Sequence, residues 1–268
     1  MKIGIVGVGV VGGATAASFR SHVESVLCYD VNPSRSTHTL AEVLACDIIF
    51  VSLPTPQKPD SNECDTSIVD SALLGMAGNT RTIVLKSTTP IGYTREARKK
   101  YNLPGLLHSP EFLTARTAVE DACNPTRNII GNPREANGIE SMILVNLYEQ
   151  RFPRVPLFRM SSDESEAVKL FQNAFSAIKV ATFNEFRCLA DARGMDWDRV
   201  LTALLVGGWI NPMHTQVPGP DGKRGFGGAC LPKDTANLAA CFDEAGIYQT
   251  MASASLRRNS YDRPKDNA

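Results

Sequence analysis

The chain has 268 residues, 43% of them hydrophobic, enough for one large or two modest cores and too few for three full domains. Lys plus Arg and Asp plus Glu number 28 each, so no global field favours nucleic acid or an anionic membrane surface, and a small-molecule partner is expected. Seven cysteines, an odd number without a C-x-x-C pair, point to reduced thiols in the cytoplasm rather than a disulfide framework or a zinc site, and no metal is expected.

The opening residues, Met1-Lys2-Ile3-Gly4-Ile5-Val6, read as a buried strand running into Gly7-Val8-Gly9-Val10-Val11-Gly12. This is the G-x-G-x-x-G pattern in the strand, turn and helix setting that binds dinucleotides. Lys2, the apolar run and Ala14-Thr15-Ala16 imitate a leader, but the glycine spacing accounts for the run and the segment is read as mature protein. Gly7 makes the turn, Gly9 lets a pyrophosphate approach the helix start at Val10 and Val11, and Gly12 lets helix and strand pack closely. Asp30 closes a second strand, 26–30, where a carboxylate takes the adenosine ribose hydroxyls and repels a 2′-phosphate. NAD is the expected cofactor.

Further strands are expected at 48–53, 82–86, about 105–108, about 128–131 and about 154–159, alternating with helical stretches. The alternation predicts an α/β fold with a Rossmann-like, mainly parallel sheet, whose ligands lie beyond the carboxyl ends of the strands. Three strand-end loops are unusual. Leu53-Pro54-Thr55-Pro56 is stiff, either lying against the nicotinamide-side ribose or acting as a rigid turn. Lys86-Ser87-Thr88-Thr89-Pro90-Ile91-Gly92 sets hydroxyls where they hold a water or a substrate hydroxyl, or cap a helix. Ser109-Pro110-Glu111-Phe112-Leu113 puts a carboxylate and backbone amides at the sheet's rim.

Ser161-x-x-Glu164 is a capping box opening a long helix to about Ala192, which divides the chain into a cofactor domain, 1–161, and a smaller all-helical domain, 162–268. Lys169, Asn173 and Asn184 fall on one stripe of that helix, either a solvated face or a clamp for an oxyanion or hydroxyl; Val168, Phe171, Phe175 and Ile178 lie opposite. A turn-rich loop, 211–224, leads into Gly225-Phe226-Gly227-Gly228-Ala229-Cys230-Leu231-Pro232-Lys233-Asp234. Here the glycines permit close approach to a ligand, and Pro232 suits the first turn of a helix whose partial positive charge favours a thiolate at Cys230. Asp234 shares that face. The alternative is a tight loop around a buried structural cysteine. Helical stretches at 235–245 and 248–261 and a polar tail, 262–268, complete the chain.

In this order and with these spacings the motifs resemble the UDP-glucose/GDP-mannose dehydrogenase family, and its UDP-glucose 6-dehydrogenase branch above all. They are the glycine turn with Asp30, the Pro-Thr-Pro loop, Ser87-Thr88-x-Pro90-x-Gly92, Ser109-Pro110-Glu111-Phe112-Leu113, Lys169-x-x-x-Asn173, Asn184-Glu185 and the Cys230 segment. The resemblance implies four-electron oxidation of a nucleotide sugar's C6 alcohol to the uronic acid, UDP-glucose to UDP-glucuronate, with two NAD and no metal. Lys169 and Asn173, with a water on Thr88, would hold the alcohol, and Cys230 would carry a thiohemiacetal and then a thioester. Asp234 would orient the thiol or water, and Glu111 would serve acid–base chemistry. Pro54, Thr55, Ser87, Thr88 and Lys233 would flank the cofactor; Glu111, Phe112, Leu113, Phe226 and Gly227 would line the sugar nucleotide. A homodimer through the central helical domain is implied, with Ala239, Phe242, Met251 and Leu256 as its apolar face.

The sequence departs from the family pattern at two places. A second glutamate, implicated in thioester hydrolysis, is replaced by Ala115, so that either Glu111 or a neighbouring acid such as Glu120 takes the role, or the last step is slow. The family's further α/β domain, which covers the nucleotide, is expected to be missing, and its bridging arginine is His214, leaving Lys223 and Arg224 to meet a diphosphate. GDP-mannose or a UDP-N-acetylhexosamine as substrate, an NAD-binding regulatory subunit and a 3-hydroxyacid dehydrogenase remain alternatives; the last needs no cysteine.

Overall fold

The computed structural model describes residues 1–133 and 138–264. In chain order the elements are β1 (Lys2–Val6), α1 (Val10–Phe19), β2 (Ser25–Tyr29), α2 (Leu40–Leu44), β3 (Ile48–Val51), α3 (Ser67–Gly75), β4 (Thr82–Leu85), α4 (Tyr93–Lys100), β5 (Leu106–His108), α5 (Ala118–Cys123), β6 (Asn128–Asn132), α6 (Ile139–Arg151) and β7 (Leu157–Ser161), then α7 (Ser162–Ala192), α8 (Trp197–Val206), α9 (Leu231–Glu244) and α10 (Met251–Asp262). The strands form one sheet in the order β2-β1-β3-β4-β5-β6-β7, parallel throughout except where β5 meets β6.

Central strands buried on both faces need apolar residues at every position, and β3 (Ile-Ile-Phe-Val) supplies them. Its period of two sends Ile48 and Phe50 to a core shared with Phe19 of α1 and Leu144 of α6, and Ile49 and Val51 to a core shared with Val69 of α3 and Ala97 of α4. Phe19 stacks on Phe50 with centroids 5.6 Å apart and meets Phe152 edge-on at 6.0 Å, fixing α1 on the sheet. The last strand starts later than expected, at Leu157, because Pro156 has no N–H for the ladder. The third ends at Val51, and Leu53 turns away into its loop.

The chain divides into two compact units, Met1–Pro56 with Asp65–Lys169, and Gln57–Cys64 with Leu170–Ala268. The division falls inside α7, whose capping box forms: the Ser161 N–H donates to Glu164 at 2.7 Å and the Glu164 N–H to Ser161 Oγ at 3.2 Å. In the second unit Leu170, Ala174 and Leu238 pack with Phe242, Ala177, Ala181 and Phe226 with Leu256, and Phe183 with Trp197 and Val217. Helix α8, capped by Asp196 on the Arg199 N–H, had no counterpart in the sequence reading. The apolar face expected at Ala239, Phe242, Met251 and Leu256 is mostly inside the unit: Ala239 is fully buried and Phe242 and Leu256 join its clusters. Met251 alone of these is exposed, at 64%, and α7 adds further apolar side chains to the surface of the unit, with Phe171 51% and Phe175 67% exposed. Among the described residues no helix is long and apolar enough to cross a membrane, and no cluster of His, Cys, Asp and Glu suits a metal ion.

Candidate active site

The glycine turn between β1 and α1 is shaped by contacts that exclude a side chain. A Cβ on Gly12 would lie 1.9 Å from the Gly7 carbonyl oxygen, and one on Gly7, whose φ is +87°, would lie 2.4 Å from that of Ser52. Gly9 differs, since a Cβ there would meet nothing within 4 Å. Its missing side chain therefore leaves room for something outside the fold, at the N-terminus of α1, where free N–H groups attract anions. Asp30 follows β2 and accepts the Val8 N–H at 2.7 Å and the Asn32 N–H at 2.8 Å. The Asn32 bond above all, with that from Val8, holds the carboxyl below its ordinary range and keeps it ionised beside the turn. An open glycine at a helix N-terminus and a fixed carboxylate fit the phosphates and ribose of a dinucleotide.

Two hydroxyls expected at the cofactor hold the loops together instead. Ser87 Oγ accepts the Leu53 N–H at 2.9 Å and donates to the Leu53 carbonyl at 2.8 Å, and Thr55 Oγ1 donates to the Thr88 carbonyl at 2.7 Å. Backbone groups freed at strand ends need such partners. Pro54 is exposed and Thr88 half-buried.

Glu111 is held from α7. Lys169 Nζ donates to its carbonyl at 2.7 Å and to Oε1 at 2.8 Å, while Oε2 accepts the Leu113 N–H at 2.7 Å. The pair is buried, with side chains 5% and 11% exposed. Phe112, between them in sequence, has Arg127 over its ring at 3.9 Å and Lys169 at 5.6 Å. Two further groups here are not singled out by any motif in the sequence. Lys86 Nζ donates to the Ser109 carbonyl at 3.0 Å, and burial, offset in part by Glu111, brings its pKa down to about 8. Glu166, three residues before Lys169, accepts the N–H groups of Gly92 and Thr94 at 2.6 and 2.8 Å and the Thr94 hydroxyl at 2.6 Å, capping α4. Its signal is indirect, because α4 starts at a glycine with no side-chain cap of its own. A cavity of about 200 Å3 is lined by Thr15, Lys86, Glu111, Phe112, Arg127 and Tyr148.

In the second unit Cys230 is exposed at the N-cap of α9, with Pro232 in the first turn. Asp234 is 1% exposed, its Oδ2 accepting Asn173 Nδ2 at 2.6 Å and its Oδ1 accepting Lys233 Nζ at 2.5 Å. Asn173 and Lys233, expected at substrate and cofactor, are thus gathered on the aspartate behind the thiol. Asn184 instead accepts the Gly225 N–H at 3.1 Å. Arg224, expected to meet a diphosphate, donates to Asp191 at 2.5 Å and to Cys188 Sγ at 3.0 Å, because a half-buried guanidinium requires acceptors. Lys223 and His214 are exposed. The Phe226 ring, 2% exposed, is a core side chain rather than a substrate wall. Gly227 faces Arg263.

Residues 34–152 match the NAD binding domain of the UDP-glucose/GDP-mannose dehydrogenase family, and residues 163–261 match its central domain. The chain belongs to this family. Similar curated members are the UDP-glucose 6-dehydrogenase of Campylobacter jejuni, 30% identical over 275 residues, and that of Streptococcus pneumoniae, 31% identical over 216 residues. The alignments cover 90% and 78% of this chain and 68% and 53% of those relatives, so the chain spans about half to two thirds of their length. Among solved structures, a UDP-glucose dehydrogenase from Pyrobaculum islandicum superposes with a TM-score of 0.85 at 27% identity, over 97% of this chain and 68% of its own. As a member of this dehydrogenase family, the chain takes NAD as its cofactor, and the Gly7–Gly12 turn with Asp30 fits it. The family's second glutamate position, Ala115, is exposed, and Glu120 is exposed on α5. Asp121 accepts the Thr114 N–H at 2.8 Å and the Thr117 hydroxyl at 2.9 Å.

Proposed function

We propose that the chain oxidises the C6 alcohol of a nucleotide sugar to the carboxylate, with UDP-glucose as the substrate. The observation that carries this reading is Cys230, an exposed thiol at a helix N-terminus, with the buried Asp234 one helical turn on and Asn173 and Lys233 donating to that carboxylate. The activity of the Campylobacter jejuni and Streptococcus pneumoniae relatives supports the choice of UDP-glucose. NAD, held at the Gly7–Gly12 turn and Asp30, supplies the hydride acceptor for both oxidations. Glu111 takes the alcohol proton as C6 loses its first hydride, and the Lys169 ammonium steadies the developing alkoxide. The Cys230 sulfur then adds to the aldehyde carbon, and the aldehyde oxygen gains a proton, giving a thiohemiacetal. Loss of a second hydride from carbon and of the hydroxyl proton leaves a thioester. Water adds to that carbonyl, the C–S bond breaks, and the thiol recovers its proton as the acid leaves. Asp234 orients Cys230 through their shared helix turn.

The exposed stripe of α7 at Phe171 and Phe175 supports a homodimer, and seven cysteines that form no disulfide support a reducing compartment. Ala115 favours one second reading, in which hydrolysis is slow and the thioester accumulates. With NAD and UDP-glucose, two NADH per sugar are expected, with turnover lost in Cys230→Ala. A single burst of NADH would select the second reading, and undiminished turnover in Cys230→Ala would refute the covalent role.

A further inference from the structure

The turn that presents Cys230 is held by α10, more than thirty residues further along the chain. Asn259 grips the backbone of Phe226 on both sides: its Oδ1 accepts the Phe226 N–H at 2.7 Å, and its Nδ2 donates to the Phe226 carbonyl at 3.0 Å. Arg263 lies beside it, with Nε donating to the Arg224 carbonyl at 2.9 Å and Nη2 to Asp221 at 2.7 Å and to the Gly225 carbonyl at 3.5 Å. The glycines of the motif make room for these two side chains. A Cβ on Gly225 would lie 2.4 Å from Asn259 Oδ1, and one on Gly227 would lie 2.0 Å from Arg263 Nη1. At Gly228, by contrast, a Cβ would meet nothing within 4 Å, and from there to Cys230 the chain is exposed. The grip therefore ends where the projecting segment begins.

We propose that Asn259 and Arg263 are positioning residues for the Cys230 thiol, fixing the turn from which Gly228, Ala229 and Cys230 project. The role at the thiol rests on the reading of Cys230 as the nucleophile, whereas the grip itself does not. Arg263 works as a fork, since three acceptors in different directions need a planar guanidinium and a lysine ammonium cannot serve them together.

The test follows alkylation of Cys230 by iodoacetamide, mapped by peptide mass spectrometry with Cys241 as internal standard and buried Cys28 as the reporter of folding. Losing a net hydrogen bond is expected to change the Cys230 to Cys241 ratio by about fivefold in Asn259→Ala, Arg263→Ala and Arg263→Lys alike, with Cys28 unreactive. Ratios equal to wild type in the alanine variants, or full restoration by Arg263→Lys, would overturn the proposal. Gly227→Ala approaches the same contact from the loop side and covers the case in which an α10 variant fails to fold. It should alter the ratio alone and add little in the Arg263→Ala background, whereas additive effects would refute the contact. Lower kcat with unchanged KM for UDP-glucose in Asn259→Ala supports a role at the thiol; raised KM with unchanged kcat contradicts it. Alkylation requires neither NAD nor sugar, so it reads the grip even if Cys230→Ala turns over normally and the proposed chemistry fails.

Discussion

Lys169 and Glu111 show how one contact serves both folding and chemistry. The two charges are buried together, and removing one leaves the other without compensation, which costs about 3–5 kcal/mol. Lys169→Ala should therefore lower the urea midpoint strongly, and adding Glu111→Gln should recover much of the loss. A small effect of the single variant would mean that solvent screens Glu111. The same burial explains why these residues stand out in the sequence while their geometry does not. Lys169 and Asn173 sit one turn apart, and that spacing suggested a common task, yet Lys169 turns to a carboxylate on a strand-end loop and Asn173 to Asp234 on α9. Partners so distant in sequence leave no local signature.

At the scale of elements, α7 and α4 are joined by Glu166. Burial raises this carboxyl from its ordinary 4.5 to about 7, against the hydrogen bonds from Thr94 and Gly92. A raised pKa means that the fold prefers the protonated group, so its contribution to stability is complete below pH 4.5 and is lost as pH rises to about 7. Wild-type protein should lose stability over that interval relative to Glu166→Gln, read from urea midpoints at several pH values; equal slopes would show that Glu166 does not titrate there. The elements themselves were largely legible, because apolar runs with a period of two and a capping box are local signals. Their ends were less so. Pro156 delays β7, and the turn-rich residues that follow α8 mask that helix in the sequence although Asp196 caps it. Ser87 and Thr55 were identified as special without their task being visible, for a hydroxyl reads alike in sequence whether it faces a ligand or a carbonyl.

For the molecule as a whole, the stripe of Phe171 and Phe175 on α7, continued by Phe186 at 45% and Leu189 at 56% exposed, is more apolar than a water-facing helix needs. For the proposed homodimer, Phe175→Glu is expected to halve the mass measured by sedimentation equilibrium, and an unchanged mass would remove this face as its contact. The parallel sheet and helical second half followed from alternation in the sequence; the burial of Ala239, Phe242 and Leu256 did not, because amphipathicity gives a helix an inner face without saying what covers it. The ties among the strand-end loops have a thermodynamic consequence as well. With Asp30 on the Val8 N–H, Ser87 on both backbone groups of Leu53 and Thr55 on the Thr88 carbonyl, this rim is ordered by folding itself. A preorganised rim loses little conformational entropy when a nucleotide arrives, so more of each new contact appears as affinity and less is absorbed in arranging the loops.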